Sequence, residues 1–135
     1  MKKIQSFFQL IRYQNLLFIF FTQLLFYFFI INPVYNQINN LSPRLMVTEL
    51  FMLIFASIFI AAGGYIINDY FDLNIDKINK PSKLVIDKHI SRRWAMLLHL
   101  FLSVLGLMLT AAVALKLRNP FLFGFNLVSV ILLWF

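Results

Sequence analysis

An all-α, polytopic transmembrane helical bundle of about four helices is the architecture this sequence calls for, and three observations carry that expectation. Of 135 residues, 61% are hydrophobic and the mean hydropathy is +0.83, more apolar surface than a soluble domain of this size can bury in one core. The apolar residues fall in long blocks rather than in the alternation of a membrane β-barrel. The charged residues gather between the blocks, where topology and anionic lipid account for a net charge of +7 before nucleic acid does. No basic patch lies on a water-soluble element, so no nucleic-acid partner is expected. Absence of Cys removes disulfides and thiolate metal sites.

The elements follow in order. Before the first block, Ile4, Phe7, Phe8 and Ile11 share one helical face, the pattern of an amphipathic segment lying in the membrane interface. The first span is expected over about 13–31. Pro33 biases Asn32 away from helical geometry, so extension past it is difficult. No small-residue cleavage site follows Ile31, and the block is therefore expected to be a retained span and not a signal peptide. The second span covers about 45–67, with Glu49 near its entrance and Gly63-Gly64 near its exit, a pair that favours tight helix packing. The third covers about 94–115, and both reach the length a bilayer demands. The fourth opens on Pro120, a favourable first-turn residue, and covers about 120–135. It stops without a polar anchor, so the chain is expected to be the N-terminal part of a longer protein.

Lys and Arg counts set the orientation. Lys2, Lys3 and Arg12, with Lys77, Lys80, Lys83, Lys88, Arg92 and Arg93 of the 68–93 connection, outnumber Arg44, Lys116 and Arg118 of the other two loops. The N-terminus and the 68–93 connection are expected in the cytoplasm, and the protein in the inner or plasma membrane.

That connection carries the chemistry. Asn68, Asp69, Asp72 and Asp76 are spaced so that, on a helix continuing out of the second span, Asn68, Asp72 and Asp76 stack on one face with Asp69 beside them. Like charges at this spacing repel, and the C-terminal end of a helix worsens matters for carboxylates. A cation must offset them, and hard oxygen ligands suit Mg²⁺, which accepts one or two carboxylates and completes its shell with water and phosphate oxygens. Lys80, Lys83, Lys88, Arg92 and Arg93 follow closely, placing cations where phosphate oxygens would need them. Both signs at a membrane surface fit a phosphorylated amphiphile. Asp72-x-Asn74-x-Asp76 fails as a calcium loop, since Lys77 and Lys83 stand where an EF-hand needs Gly and Glu. His99 is expected to be a hydrogen-bonded interior residue, and His89 part of the loop.

Asn68-Asp69-Tyr70-Phe71-Asp72-Leu73-Asn74-Ile75-Asp76 resembles the first Asp-rich motif of the UbiA-type intramembrane prenyltransferases. Lys77-Ile78-Asn79-Lys80-Pro81-Ser82-Lys83 is similar to the continuation of that motif, with Lys83 where Arg is usual. Arg12-Tyr13-Gln14-Asn15 resembles the Arg-x-x-Asn at the start of the family's first helix. His89 stands before Ile90-Ser91 where the family has Gly, a departure in the local turn. The resemblance implies about half of a larger bundle, with Mg²⁺ as cofactor and a prenyl diphosphate and a hydrophobic acceptor as substrates. It implies Asn68, Asp69, Asp72 and Asp76 as metal ligands, Asp72 and Asp76 being central to catalysis, and Lys80, Lys83, Lys88, Arg12 and Asn15 as diphosphate contacts. Aromatic acids of lipid quinones, haem and glycerol-phosphate lipids are acceptors of relatives; Asn-Asp-Tyr-Phe-Asp leans toward the branch acting on geranylgeranylglycerol-phosphate. The competing expectation is a small transport or assembly subunit with an acidic cation-binding loop. The Asp-Gly-x-x-Ala-Arg opening of CDP-alcohol phosphotransferases is missing.

Overall fold

The computed structural model describes residues 2–39, 46–81 and 84–134; Arg44 and Lys83 lie outside them. The chain runs through α1 (Lys2–Leu10), α2 (Tyr13–Phe26), a π-helical turn (Tyr27–Ile31), α3 (Asn32–Asn39), α4 (Val47–Phe71), α5 (Leu73–Asn79), α6 (Arg92–Leu117) and α7 (Pro120–Leu132). Among the described residues, three helical stretches are long and apolar enough to cross a membrane: Tyr13–Val34, Val47–Phe71 and Arg92–Leu117.

The first of these departs from expectation, because the helix does not stop at Pro33. It continues to Asn39 through the π-helical turn, where the Asn32 N–H donates to the Tyr27 carbonyl five residues back. In an α-helix the Pro33 ring would strike the Phe29 carbonyl and leave it without a donor. The wider π turn just before Pro33 absorbs that extra residue, so the helix survives a proline that ordinarily ends one.

α4 and α6 form the most extensive pairing, and they run antiparallel. Small residues set the approach. A Cβ at Gly106 of α6 would lie 2.6 Å from Ile60 Cγ1 and 2.9 Å from the Ala56 carbonyl oxygen of α4, and one at Gly63 would lie 3.0 Å from Ser103 Oγ. Gly63-Gly64 is thus a packing device, as its sequence context suggested. His99 is fully buried and its Nδ1 lies 2.9 Å from the Gly63 carbonyl. A carbonyl only accepts, so a neutral ring carries its proton on Nδ1, and His99 is the interior residue expected. At the far end of the same pairing, Glu49 in the first turn of α4 is buried and ion-paired with Lys116 in the last turn of α6. Each charge sits at the helix end whose dipole favours it, and the antiparallel arrangement brings them together.

α6 ends in a left-handed Arg118, φ 51°, after which the Asn119 side chain accepts from the Phe121 N–H and Pro120 starts α7. The 13 residues of α7 span about 20 Å, less than a hydrocarbon core. They nevertheless run back alongside α6 far enough for Leu133 to pack on Gly64 and for Trp134 to set its ring edge-on to His99 and Phe71.

At the Asp-rich end, Leu10 and Ile11 from the α1–α2 elbow, Leu16, Ala62, Ile66, Leu73, Val85, Ile86 and Ala95 form one buried cluster. The elbow and the 84–91 segment are therefore packed into the bundle, and they frame the polar residues between them.

Candidate functional site

The Asp-rich motif lies where α4 gives way to α5. The junction keeps helical hydrogen bonding: Asp72 N–H donates to the Asn68 carbonyl (2.9 Å), Asp76 N–H to Asp72 (2.8 Å) and Lys80 N–H to Asp76 (2.9 Å). Residues 68 to 80 thus hold nearly the continuous helix on which the sequence argument depended. Leu73, buried under the junction, anchors it to the elbow cluster.

The four candidate metal ligands of the motif divide into two sets. Asp69 and Asp76 line a polar cavity of about 330 Å³ together with Gln9, Arg12, Lys80 and Val85. Asn68 and Asp72 pair with each other beside it, Asn68 Nδ2 donating to Asp72 Oδ2 at 3.3 Å. Among the described residues no three acidic or histidine side chains converge as a ready-made metal shell. Two carboxylates on one cavity are nevertheless the number that Mg²⁺ accepts from protein when water and phosphate oxygens supply the remainder. On that test of donor type and number, the residues fit the ion.

Cations face the carboxylates from two directions. Arg12, at the α1–α2 elbow, donates from Nη2 to Asp69 Oδ1 at 2.8 Å and holds its guanidinium carbon 5.0 Å from the centre of the Tyr65 ring. Its backbone is left-handed, φ 51°, an uncommon conformation for a residue other than Gly, maintained by the burial of Leu10 and Ile11 just before it. Lys80 stands one helical turn beyond Asp76, with Nζ 3.9 Å from Oδ1. The 84–91 segment lines the cavity through Val85. In the same segment Asp87 accepts from Arg92 Nε and Nη2 at 2.8–3.1 Å and from Lys77 Nζ at 3.1 Å, tying α5 to α6. Those two cations hold the Asp87 carboxyl down to about 2 from its ordinary 3.8.

Of the diphosphate contacts implied by the sequence, Arg12 and Lys80 line the cavity. Asn15 instead lines an adjoining groove of about 720 Å³ along the α1–α2 elbow, which shares Gln9 and Arg12 with the cavity. Lys88 is exposed at the tip of the turn following Val85 and does not line the cavity. Lys83 lies outside the described residues.

Three residues escaped the sequence reading. Asp87 occupies the left-handed position, φ 69°, of the turn closed by His89 N–H and Ile90 N–H on the Val85 carbonyl. Asp is among the few residues that tolerate such a conformation; the departure at His89 lies two residues further on, so nothing in the sequence marked Asp87 directly. Tyr65 is one turn before Asp69, a spacing that placed it on the Asp69 face. Gln9 offered no signal beyond its polarity on an otherwise apolar stretch.

Comparison with known proteins gives a consistent set of likenesses. Residues 25–135 match the UbiA prenyltransferase family. The chain is 42% identical over 78 residues to the digeranylgeranylglyceryl phosphate synthase of Methanococcoides burtonii, a match covering 56% of this chain and 27% of the relative. It is 39% identical over 75 residues to the synthase of the same name from Sulfolobus acidocaldarius, covering 56% and 26%. A solved structure concerning digeranylgeranylglyceryl phosphate synthase in membranes superposes with a TM-score of 0.66 at 26% identity, over 93% of this chain and 44% of that one. The chain thus matches about a quarter of the length of these curated relatives and less than half of the solved chain.

Proposed function

The chain belongs to the UbiA prenyltransferase family, and from that premise we propose that its Asp-rich end binds the diphosphate of a prenyl diphosphate through Mg²⁺ for transfer of the prenyl group to a lipid acceptor in the membrane. The observation that carries this reading is the meeting of Asp69, Asp76, Arg12 and Lys80 on one polar cavity at the end of an apolar helix. Carboxylates and cations around one space match a ligand that brings metal and phosphate together.

In this reading Asp69 and Asp76 hold the metal from the cavity wall, and Asn68 and Asp72 join it from one turn away by giving up their mutual hydrogen bond. Arg12 and Lys80 take phosphate oxygens that the metal leaves, with Lys83, Lys88 and Asn15 as outer contacts. When bound, Mg²⁺ supplies charge neutralisation for the departing diphosphate. The residues themselves orient the diphosphate toward the bundle and keep the allylic carbon on the apolar side, where water is scarce. The site is proposed to face the cytoplasm, consistent with the nine Lys and Arg of the N-terminal and 68–93 segments against three in the other two loops. The relatives named above favour a glycerol-phosphate lipid already carrying one prenyl chain as acceptor.

Binding of a fluorescent geranylgeranyl diphosphate analogue to the chain in nanodiscs tests the proposal. Binding is expected to weaken on removal of Mg²⁺, and to weaken about 10- to 100-fold in Asp72→Ala and Asp76→Ala. Equal binding with Mg²⁺ and with EDTA, or unaltered binding in both variants, would refute it.

A further inference from the structure

Two independent contacts hold the Arg12 guanidinium in the cavity. One is the charge-assisted hydrogen bond to Asp69 at 2.8 Å; the other is the face of the Tyr65 ring, 5.0 Å from the guanidinium carbon. Tyr65 and Asp69 are one turn apart on α4, so they present a ring and a carboxylate side by side. The elbow that carries Arg12 is itself fixed, since Leu10 and Ile11 are buried immediately before it. Arg12 is thus delivered to Asp69 by the fold rather than by a mobile tail.

The two contacts respond differently to a divalent cation. A metal that takes the oxygens of Asp69 competes directly with Arg12, because a guanidinium and a divalent ion on one carboxylate repel each other. The Tyr65 contact does not depend on Asp69, and a cation over a ring face loses little when the neighbouring carboxylate turns away. We infer that Arg12 is a built-in counter-ion that stands in for the metal at Asp69, and that Tyr65 is the positioning residue that keeps the displaced guanidinium in the cavity to receive the phosphate oxygens. The arrangement offsets the repulsion between Asp69 and Asp76 in the metal-free state and couples metal arrival to phosphate capture: the metal frees the very group that the diphosphate needs. It also accounts for the absence, among the described residues, of three convergent acids, since Asp69 is turned to Arg12. The inference rests on the metal-binding reading proposed above.

Titration of Mn²⁺, followed by its electron paramagnetic resonance signal, tests it on the full chain in nanodiscs without any diphosphate. Arg12→Gly is the informative variant, because Gly adopts φ 51° without strain and preserves the elbow. Mn²⁺ is expected to bind Arg12→Gly about three- to tenfold more tightly than the unaltered chain. Inorganic pyrophosphate, added at saturating Mn²⁺, is expected to bind Arg12→Gly and Tyr65→Leu several-fold more weakly, and Tyr65→Phe, which retains the ring face, as the unaltered chain does. Unchanged or weaker Mn²⁺ binding in Arg12→Gly overturns the inference, as does unchanged pyrophosphate binding in Tyr65→Leu. Asp76→Asn separates the two levels of argument. If it weakens Mn²⁺ binding while Arg12→Gly leaves it unchanged, the metal site stands and the counter-ion role falls; if Asp76→Asn has no effect, both fall.

Discussion

Replacing each glycine of the chain by alanine is expected to give four different outcomes, ordered by what the added methyl would meet. At Gly106 it would lie 2.6 Å from Ile60 Cγ1 and 2.9 Å from the Ala56 carbonyl oxygen. The second neighbour is backbone in the middle of α4, so relief requires α4 and α6 to separate. Overpacking of this kind costs about 1–3 kcal/mol, of which the better helix propensity of Ala returns up to about 1 kcal/mol. At Gly63 the tightest neighbour is the Ser103 hydroxyl at 3.0 Å, with the His99 carbonyl at 3.3 Å; the hydroxyl can rotate away, leaving a smaller cost. At Gly64 the methyl meets Leu133 Cδ2 at 2.8 Å, the end of a flexible side chain, and the net change is expected near zero. At Gly124 nothing lies within 4 Å, so only propensity acts and the protein gains about 0.5–1 kcal/mol. Unfolding by SDS titration in mixed micelles, followed by circular dichroism, ranks the four variants. The expected order of stability is Gly124→Ala, Gly64→Ala, Gly63→Ala, Gly106→Ala. A Gly106→Ala protein as stable as Gly124→Ala would refute the claim that close backbone approach sets the α4–α6 pairing.

Two further outcomes follow from the charged residues at the ends of that pairing. Lys116→Met leaves the Glu49 carboxylate without its partner and is expected to destabilise the protein, less than the loss of a fully buried pair would because the Lys116 side chain is 59% exposed. The same titration reads it, and Glu49→Gln combined with Lys116→Met should recover most of the loss. At the other end, Asp87 has its carboxyl lowered from 3.8 to about 2, so its clamp on Lys77 and Arg92 is fully present above 3.8 and is lost as pH falls through about 2. Hydrogen exchange of the 84–91 amides, corrected for intrinsic rates, should lose protection across that window. Asp87→Asn should lack the step and show lower protection at neutral pH; a step of equal size in the variant would exclude Asp87 as its source.

The bundle was legible because lipid solvent imposes long apolar blocks, and blocks are visible without knowing what they touch. The Asp-rich cluster was visible for a related reason: charges spaced along a helix exit repel whatever the tertiary structure is, so Asn68, Asp69, Asp72 and Asp76 marked themselves locally as a candidate cation site, and the structure brings Asp69 and Asp76 to one cavity. What the sequence concealed depends on contacts between distant segments. Arg12 stands 57 positions from Asp69, and only the left-handed elbow and the burial of Leu10 bring them together. The two-set division of the motif has the same origin, because Arg12 selects Asp69 and leaves Asn68 to Asp72. Pro33 misled for the opposite reason. Its local rule disfavours helical geometry at Asn32, yet Asn32 is helical, φ −62° and ψ −48°, at the end of a π-helical turn that leaves no plain mark in composition.

α4 carries the motif and is constrained along its whole length, and the constraints differ in kind. Glu49 and Lys116 fix one end by charge, Gly63 and Gly106 fix the middle by shape, and the Asp-rich end is held by buried Leu73 together with the ion pair from Arg12. The first two leave α4 no alternative register against α6, because charge pairing and small-residue contacts must be satisfied at once. The third contains an ion pair that the proposed ligand would exchange for other contacts. Motion on binding of the proposed diphosphate is therefore expected in side chains of the cavity and not in the helix that bears them, the arrangement of a site largely formed before its ligand.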